Sequence, residues 1–415
     1  MIGSAGLSRQ NLPPSTLPQA CEVLVVGAGP AGCAAALVLA RAGLDVRLVD
    51  QAVFPRDKIC GDALIADAHA ALARLGVLDQ VLARARRCRG STAVATRGGT
   101  LDIDTTIAVL PRRDLDDLLC RHAVRAGAPM YAPVRLVGVC RDGSGRVIGA
   151  RLKEGKRVFE VRAATVILAT GASSSALVAA GVCRQRAPSG VAMRAYIRHP
   201  AAERMERIHL LWSRTMRHGY GWVFPVPGGI LNVGVGFDAF GKRDAVGCGS
   251  DVRRHFEELR HWHPLLRDVF VRGELLGPPQ GSPLRCSLEG ADHAVPGLLV
   301  VGEAAGSTYL TTGEGIGKAM ETGILAAEAI LERRLGAGPD AVASAYRDSL
   351  ERLKPRFDLY RRANRLNAAP WMVDLLVWRA RRSPRLRERI RRVVDEVSPP
   401  ADPLSFRVLR RLILG

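Results

Sequence analysis

The sequence predicts an α/β fold made of a Rossmann-like domain, a second domain built on a β-sheet and a helical C-terminal region. Three observations predict it. An apolar strand-like run meets a glycine-rich turn at the start of the chain. Two later apolar runs also end in glycine turns, and the last part of the chain reads as mostly helical. These segments are EVLVVGAGPAG (22–32), TVILATG (165–171), GLLVVG (297–302) and residues 346–415.

The first element is a strand, a tight turn, a helix and a second strand that ends at Asp50. Gly27, Gly29 and Gly32 stand in the G-x-G-x-x-G register. Gly27 makes the turn, Gly29 lets the backbone approach a pyrophosphate, and Gly32 lets the helix pack closely on the sheet. We therefore expect a pyrophosphate at the positive N-terminus of the helix, with Asp50 accepting hydrogen bonds from ribose hydroxyls.

Later segments favour FAD over NAD as the dinucleotide. VLPRRDLDDLLCRHAVRAGA (109–128) reads as a helix after a strand, and residues 297–331 read as a strand, a glycine-rich loop and a long helix. An NAD-dependent dehydrogenase needs no second nucleotide-facing segment so far along the chain. FAD does, because its ribityl chain and isoalloxazine ring extend well beyond the first βαβ unit.

A predicted hairpin follows in the second domain. GYGWVFPVPGG (219–229) and ILNVGVGF (230–237) read as its two strands. Because side chains alternate along a strand, Tyr220, Trp222 and Phe224 share one face. The face is either ordinary core packing or an aromatic wall of an apolar substrate cavity.

Composition indicates the class of protein and its expected location. The chain has 415 residues and is 47% apolar, which suits a globular protein with two or more lobes. The best candidate for a membrane span, Ala34–Ala40, is closed by Arg41 and is far shorter than the roughly 18–20 residues required. The first 20 residues lack a hydrophobic signal core and are expected to form a loose arm, so a cytoplasmic location is expected.

Cysteines and charge suggest partners rather than metals. The nine cysteines show no C-x-x-C pair, and no metal site is predicted. The net charge is +20, and residues 351–415 hold 17 Lys plus Arg against 7 Asp plus Glu, a balance of +10. This charge fits a solvated surface, an anionic membrane surface or an acidic protein. With 5% aromatic residues and no nucleic-acid motif, nucleic acid is not an expected partner.

Taken together, these segments resemble a known family. The chain from about residue 20 to about 335 is similar to the geranylgeranyl-reductase-like branch of FAD-dependent oxidoreductases, which share the para-hydroxybenzoate hydroxylase fold. The resemblance rests on VVGAGPAGCAAA, FPRDKICGDAL, the R-x-x-L-D from Arg112 to Asp116, GYGWVFP, LNVGVG and VGEAAG with TGEGIGKAMETG. GYGWVFP and FPRDKICGD are the most specific of these to the branch.

The resemblance implies roles for several positions. Arg112 would contact the FAD diphosphate or ribityl region, and Glu303 stands where the family usually has an Asp that binds the ribityl chain. The loop with Gly313, Gly315 and Ile316 would pass beside the isoalloxazine, where backbone N–H groups at the start of a helix stabilise negative charge on reduced flavin.

The chain departs from the family at two places. Thr170-Gly171 replaces a common Asp-Gly pair, and Leu310 replaces a common Pro. The Asp-Gly pair is associated with both FAD and NAD(P)H contacts. NAD(P)H is the expected reductant, and the replacement of this pair leaves its use and its affinity open.

The resemblance also places FPRDKICGDAL (54–64) against the flavin. Pro55 and Arg56 would turn the chain, and Gly61 would allow close approach of the backbone to the ring, to substrate or to a mobile flavin. Cys60 is a candidate catalytic residue as a weak donor beside the ring. It is equally a packed small apolar residue.

These readings divide the chain into three regions. The FAD-binding domain is expected from 20–85, 110–180 and 285–345, and the substrate domain from 86–109 and 181–284. Residues 346–415 form a basic helical tail, amphipathic and suited to a membrane surface or a partner.

Three functions remain in view. The first is hydride transfer from reduced FAD to a carbon–carbon double bond of a hydrophobic, prenyl-type substrate, with Tyr220 as the candidate proton donor. The second is a flavin-dependent monooxygenase that hydroxylates or epoxidises an aromatic, natural-product or peptidyl substrate. The third is a non-catalytic flavoprotein that binds an acidic protein.

Overall fold

The structure is a computed structural model that describes residues 11–238, 245–332 and 339–400. The last 15 residues of the predicted basic tail, 401–415, lie outside the described residues. The strands are β1 (Asn11–Leu12), β2 (Ala20–Val26), β3 (Val46–Val49), β4 (Ala63–Leu64), β5 (Arg86–Val94), β6 (Thr100–Val109), β7 (Met130–Tyr131), β8 (Arg135–Arg141), β9 (Val147–Glu154), β10 (Arg157–Leu168), β11 (Gly190–Arg198), β12 (Ile208–Leu211), β13 (Gly219–Val226), β14 (Ile230–Asp238), β15 (Glu274–Leu275), β16 (Gln280–Leu284), β17 (Ala294–Val295) and β18 (Leu298–Val300).

The α-helices follow the same chain order. They are α1 (Pro30–Arg41), α2 (Ala66–Arg74), α3 (Leu78–Leu82), α4 (Arg112–Arg125), α5 (Ser174–Ala179), α6 (Ala201–Arg204), α7 (Ala245–Glu258), α8 (Pro264–Arg272), α9 (Ile316–Glu332), α10 (Pro339–Ala363), α11 (Arg365–Ala368), α12 (Pro370–Arg382) and α13 (Pro384–Val394).

The first sheet forms the Rossmann-like part. Its strands run in the order β1-β7-β3-β2-β10-β18-β17, and β2 lies parallel to both β3 and β10. The ends of β2, β10 and β18 meet at one edge, because Val26 pairs with Leu168 and Leu168 pairs with Val300. The turns that follow these three strands therefore lie side by side, as the predicted dinucleotide site requires.

Helices α1 and α9 cross closely above this edge. A Cβ atom at Gly323 of α9 would lie 2.2 Å from the carbonyl oxygen of Ala31, and one at Gly302 would lie 2.7 Å from the Ala31 side chain. Only glycine fits at either position. The close crossing brings the N-terminus of α9 next to the glycine-rich turn.

The prediction of a loose N-terminal arm is wrong for the part that the structure describes. Asn11 and Leu12 form β1 and pair in parallel with Met130 and Tyr131. The Asn11 side chain also donates to the Phe54 carbonyl oxygen at 2.7 Å and accepts from the Phe54 amide at 3.0 Å. A side-chain amide that satisfies two backbone groups anchors this segment, a long-range contact that composition does not reveal.

The second sheet carries the predicted hairpin. Its order is β15-β11-β14-β13-β12-β5-β6-β4, with β16 also paired to β11. The β13–β14 register sets Trp222 opposite Gly234 and Phe224 opposite Asn232. Strand β4 comes from within the expected FAD-binding segment 20–85, and it pairs with β6 in this sheet. The segment around Gly61 thus enters the second sheet directly.

The C-terminal helices are packed parts of the fold. Helix α10 buries Tyr346, Leu350 and Phe357 in the same core as α1 and α9. Helix α12 buries Val373 and Val377 against the β5–β6 strands. Across the ranges described, no helix combines the length and the apolar character that a membrane crossing requires.

Candidate active site

The glycine-rich turn adopts the tight geometry that its sequence predicts. Gly27 has a φ of +109°, and a Cβ there would lie 2.3 Å from the Ala169 carbonyl oxygen. A Cβ at Gly32 would lie 1.8 Å from the Gly27 carbonyl oxygen. A Cβ at Gly29, in contrast, would meet nothing closer than 3.8 Å. The fold therefore requires glycine at Gly27 and Gly32, because a Cβ there would clash with the backbone. Gly29 instead borders an open space.

Two guanidinium groups face that space. The nearest atoms to a Cβ at Gly29 are Nη2 of Arg112 and Nη2 of Arg56, both at 3.8 Å. Arg112 donates from Nε and Nη2 to the two oxygens of Asp116, at 2.7 and 2.8 Å. Arg56 Nη1 lies 2.8 Å from Asp116 Oδ2. One fully buried carboxylate thus holds two arginines, which leaves a surplus positive charge beside the N-terminus of α1.

Two carboxylates lie on either side of this centre. Asp50 accepts from the amides of Ala28 at 2.7 Å and Ala52 at 2.9 Å, which fixes its side chain at the end of β3. Its oxygens keep acceptor capacity for a hydroxyl. Burial raises the pKa of Glu303, which the charges of Lys58 and Arg112 oppose, so Glu303 lies on the same side of the fold as Arg112.

These residues fit FAD. The open space at Gly29, the surplus charge of Arg56 and Arg112 and the helix N-terminus together suit a diphosphate. In addition, the Thr170 hydroxyl is buried and has no hydrogen-bond partner among the described residues. It lies in the turn after β10, beside Gly27, where a ligand can satisfy it.

The segment FPRDKICGD is bound to the second sheet by a buried hydrogen-bond network centred on Asp62. Asp62 Oδ2 accepts from the Tyr196 hydroxyl at 2.6 Å and from Asn232 Nδ2 at 2.8 Å. Its Oδ1 accepts from the Arg112 amide at 3.2 Å. Asn232 also donates to the Cys60 carbonyl oxygen at 2.7 Å and accepts from Trp222 Nε1 at 2.9 Å. The network joins the diphosphate side to the hairpin.

A second contact fixes the start of the same segment. Arg194 Nη2 donates to both oxygens of Asp57, at 2.8 and 2.6 Å. The Arg194 guanidinium also lies over the Tyr196 ring, 4.1 Å from its centroid. The role of this segment is therefore to connect the two sheets at the site, in addition to the close approach expected at Gly61.

The Asp62 network predicts a pH-dependent stability. Burial raises the pKa of Asp62 from 3.8 to about 6, against the hydrogen bonds from Tyr196 and Asn232. The folded chain then binds more protons than the unfolded chain between about pH 4 and pH 6. The resulting stabilisation is complete below about pH 4 and is lost as the pH rises through about 6.

We expect Asp62→Asn to remove this dependence. The free energy of unfolding of the unmodified chain, minus that of Asp62→Asn, should fall between about pH 4 and pH 6 and be constant above about pH 7. Urea titrations at each pH measure it. Asp67, whose pKa burial also raises to about 6, is present in both proteins and cancels in the difference. A difference that does not change with pH would contradict the assignment.

The predicted aromatic face is present and is longer than expected. Trp212, Tyr220, Trp222 and Phe224 follow one another with ring centroids 5.8, 6.4 and 6.1 Å apart. A Cβ at Gly61 would lie 3.1 Å from the Phe224 ring. We call these four rings the aromatic wall. Gly61 is thus the point where the FPRDKICGD backbone meets the aromatic wall.

The glycines of LNVGVG make room for this wall. Gly234 and Gly236 lie opposite Trp222 and Tyr220 on β14. A Cβ at Gly234 would lie 2.3 Å from the Trp222 ring. The indole therefore occupies the space of the missing side chain, which explains why a tryptophan on one strand accompanies glycines on the next.

The loop that leads into α9 meets the aromatic wall at Tyr220. The Tyr220 hydroxyl donates to the carbonyl oxygen of Thr312. A Cβ at the next residue, Gly313, would lie 3.4 Å from this hydroxyl, and Gly313 itself has a φ of +67°. A Cβ at Gly315 would lie 2.5 Å from the Thr308 hydroxyl, and Ile316 begins α9. The loop is closely packed and is held in place from the substrate sheet.

Three titratable groups in this region keep their protons. Burial raises the pKa of Tyr220. Burial and the charges of Asp67 and Glu396 hold the pKa of Glu314 well above its usual range. Burial also raises the pKa of Cys60, so the residue is a thiol and not a thiolate. The structure gives Cys60 the character of a small neutral side chain and not of a nucleophile.

Sequence reasoning missed five residues of this site. Arg56 was expected only to turn the chain, and Asp62, Asp116, Asn232 and Glu314 received no role. All five lie inside the motifs that carry the family resemblance, which marked their positions but did not give their partners. The partners of Arg56 and Asn232 lie 60 and 172 residues away in the sequence.

Comparison with known proteins supports the binding of FAD by this chain. A family profile described as an FAD binding domain matches residues 20–213. The menaquinone reductase of Mycolicibacterium smegmatis is 36% identical over 322 residues, which cover 74% of this chain and 75% of that protein. The digeranylgeranylglycerophospholipid reductase of Methanosarcina mazei is 31% identical over 328 residues, 75% of each chain.

A solved structure shows the same fold. The geranylgeranyl bacteriochlorophyll reductase-like protein of Thermoplasma acidophilum superposes with a TM-score of 0.71 at 22% identity, over 95% of this chain and 96% of that chain. The prediction of an α/β fold with a Rossmann-like FAD-binding domain is confirmed.

Proposed function

This chain belongs to the geranylgeranyl-reductase-like family of FAD-dependent oxidoreductases, and we propose that it saturates a carbon–carbon double bond in the prenyl chain of a lipid. That it is an FAD-dependent enzyme follows from the family. The substrate is our proposal. It is supported by the names of two relatives, which are reductases of prenyl lipids, and by the form of the site.

The aromatic wall is the observation that carries the proposal. Four rings lie in a row, with Trp222 and Phe224 buried in a cluster of apolar side chains and Trp212 and Tyr220 half-buried. Their polar atoms are turned to protein partners: Trp212 Nε1 to Asn367, Tyr220 to Thr312, and Trp222 Nε1 to Asn232. Apart from the Tyr220 hydroxyl, no polar side-chain atom of the wall is left to recognise a polar substrate. Such a surface suits a flexible isoprenoid chain, which offers only hydrocarbon.

When bound and reduced, FAD supplies the hydride for such a reaction. Arg56 and Arg112 would hold the diphosphate, and the backbone N–H groups at the start of α9 would orient the ring. The wall excludes water and keeps the isoprenoid chain extended beside Gly61. Each of these roles is one of binding, orientation or desolvation, which the chain's residues perform without covalent chemistry.

Saturation of a double bond also needs a proton. Tyr220 carries one on its phenolic oxygen, at the junction between the wall and the α9 loop. Glu314 carries one on its carboxyl group in the same loop. We assign the proton donation to Tyr220, because its ring is part of the surface that contacts the substrate. We further propose that Glu314 restores the Tyr220 proton and then takes a proton from solvent, and that NAD(P)H supplies the hydride that reduces the flavin again.

An anaerobic turnover experiment tests the reaction. The FAD-loaded protein is incubated with NADPH or NADH, or with dithionite as a reductant that needs no binding site, and with a menaquinone that has an unsaturated side chain. We expect mass spectrometry to show the gain of one H₂ for each double bond reduced. Oxygen uptake that depends on substrate, together with no anaerobic product, would overturn the proposal in favour of a monooxygenase.

Two variants test the proton donor. Tyr220→Phe should lower the rate at which the reduced flavin reduces the substrate by about hundredfold, the usual contribution of a positioned acid. The FAD content should be unchanged. Trp212→Phe is the control for a change in the wall without loss of an acid, and should alter KM more than kcat. A Tyr220→Phe rate within about twofold of the unmodified rate, with a large loss in Glu314→Gln, would move the donor to Glu314.

A further inference from the structure

Helix α12 has an apolar face on each of its two sides. On one side Val373, Val377 and Ala380 are buried in a cluster with strands β5 and β6. Asp374 fixes this side, because its carboxylate accepts from the Thr96 hydroxyl at 2.6 Å. These contacts hold α12 on the substrate sheet. They do not account for the residues on the opposite side of the helix.

The opposite side carries two exposed tryptophans. Trp371 is 61% exposed and Trp378 is 48% exposed, and in the part of the chain that the structure describes they are the only exposed large aromatic side chains. Trp371, Leu375, Trp378 and Arg382 follow at positions i, i+4, i+7 and i+11, so they form one stripe along the helix. Burial of a large exposed indole lowers the free energy of the system. Two indoles aligned on one helix are therefore typical of a docking surface.

Arginines surround the stripe. The guanidinium carbons of Arg382 and Arg379 lie 4.5 and 5.7 Å from the centroid of Trp378. Helices α12 and α13 together, residues 370–394, contain 8 Arg against 2 acidic residues, a balance of +6. Both acidic residues are already bonded, Asp374 to Thr96 and Glu388 to Arg391. The remaining charge of the two helices is basic, and Arg381 of α12 and Arg385 of α13 are exposed.

We propose that this Trp–Arg face, defined as Trp371, Leu375, Trp378 and the exposed arginines of α12 and α13, docks on an anionic lipid bilayer. Indoles favour the headgroup level of a bilayer, where the ring body meets acyl chains and the N–H meets water or ester oxygens. Guanidinium groups beside them pair with lipid phosphates. An acidic protein would satisfy the arginines, but it would give no reason for two exposed indoles between them.

The face is connected to the site through α11. Trp371 follows Asn367 by four residues, and Asn367 accepts from Trp212 Nε1 at 2.9 Å and donates to the Thr311 carbonyl oxygen at 2.8 Å. One side chain therefore joins the end of the aromatic wall, the α9 loop and the start of the docking helix. Docking at α12 would bring the bilayer to the Trp212 end of the wall, where a lipid chain can enter from the membrane. The docking itself does not rest on the proposed reaction.

Vesicle flotation of the full, FAD-loaded chain tests the proposal. Vesicles of equal parts phosphatidylcholine and phosphatidylglycerol should carry the protein at low salt, and vesicles of phosphatidylcholine alone should not. Binding should fall steeply as salt rises, because the attraction is screened within about 10 Å at 0.1 M. Arg381→Gln with Arg385→Gln should weaken the partition coefficient by about thirtyfold, from about 1 kcal/mol for each arginine near the surface. Trp371→Ala with Trp378→Ala should weaken it by about tenfold or more.

Matched controls separate the face from general effects. Lys156→Gln with Arg186→Gln removes the same amount of positive charge from two exposed positions outside α12 and α13. Val158→Ala with Val271→Ala shortens two exposed apolar side chains outside these helices. Both should leave the partition coefficient within about twofold and the FAD content unchanged. Equal losses in the charge control, unchanged binding in the Trp pair, or no binding of the unmodified chain at low salt would each overturn the proposal. Capture of an acidic protein without vesicle binding would assign the face to a protein instead.

Discussion

A Gly29→Val protein is expected to fold and to lose FAD. In the chain itself a side chain at Gly29 meets nothing nearer than the two guanidinium groups at 3.8 Å, so the fold tolerates it. A valine would instead occupy the space that the diphosphate needs. It would displace the diphosphate from at least two charge-assisted hydrogen bonds, each worth about 1.5–3 kcal/mol, so FAD affinity should fall by about 3–6 kcal/mol. Flavin absorbance of the purified protein and a thermal melt measure both quantities.

Gly32→Ala is the matched control. Its new Cβ would lie 1.8 Å from the Gly27 carbonyl oxygen, so this change should disturb the turn and lower the melting temperature even without FAD. The two variants therefore separate a glycine required by the cofactor from a glycine required by the fold. A Gly29→Val protein that keeps FAD at full occupancy would place the diphosphate elsewhere.

The second large effect is expected from Asp116→Asn. Asp116 is fully buried and is the carboxylate that holds Arg112 and Arg56 together. Its neutralisation removes the carboxylate that both guanidinium groups contact. Removing one partner of a buried ion pair costs about 3–5 kcal/mol, which should appear in the free energy of unfolding of the FAD-free protein. The loss should be smaller with FAD bound, because the diphosphate then supplies negative charge to the same arginines.

Asp114→Asn is the control for this variant. Asp114 lies on the same helix in its first turn and is exposed, so its loss removes only a favourable helix-end charge worth under about 1 kcal/mol. Urea titration of both proteins, with and without FAD, gives four free energies of unfolding. An Asp116→Asn loss no larger than that of Asp114→Asn would show that the two arginines do not depend on the buried carboxylate.

The features that sequence determined are those contained in one continuous segment. The strand, turn and helix around Gly27 and Gly32 are set by neighbours within the same 30 residues, so spacing alone predicts them. The alternation that groups Tyr220, Trp222 and Phe224 is likewise a property of one strand. In both cases the backbone geometry of a single element fixes which side chains lie together. The reductase-like family followed from the motifs.

The hydrogen bonds and ion pairs of the site join residues that are far apart in the sequence. Tyr196 and Asp62 are 134 residues apart, and Asn232 and Cys60 are 172 apart. With 60 Lys plus Arg and 40 Asp plus Glu in the chain, residue type does not specify which cation meets Asp116. The order of strands in the two sheets does, because β4 carries the FPRDKICGD segment from the first sheet into the second.

The basic C-terminal region shows the same division. Its charge and helical character are properties of composition and local pattern, and the sequence by itself determined both. Tertiary structure decided which residues of α12 contact the substrate sheet, because Val373 and Val377 are buried against β5 and β6, whereas Trp371 and Trp378 stay 61% and 48% exposed. Helical periodicity makes two apolar stripes on one helix, and only the position of the neighbouring sheet determines which stripe is buried and which remains available to a membrane.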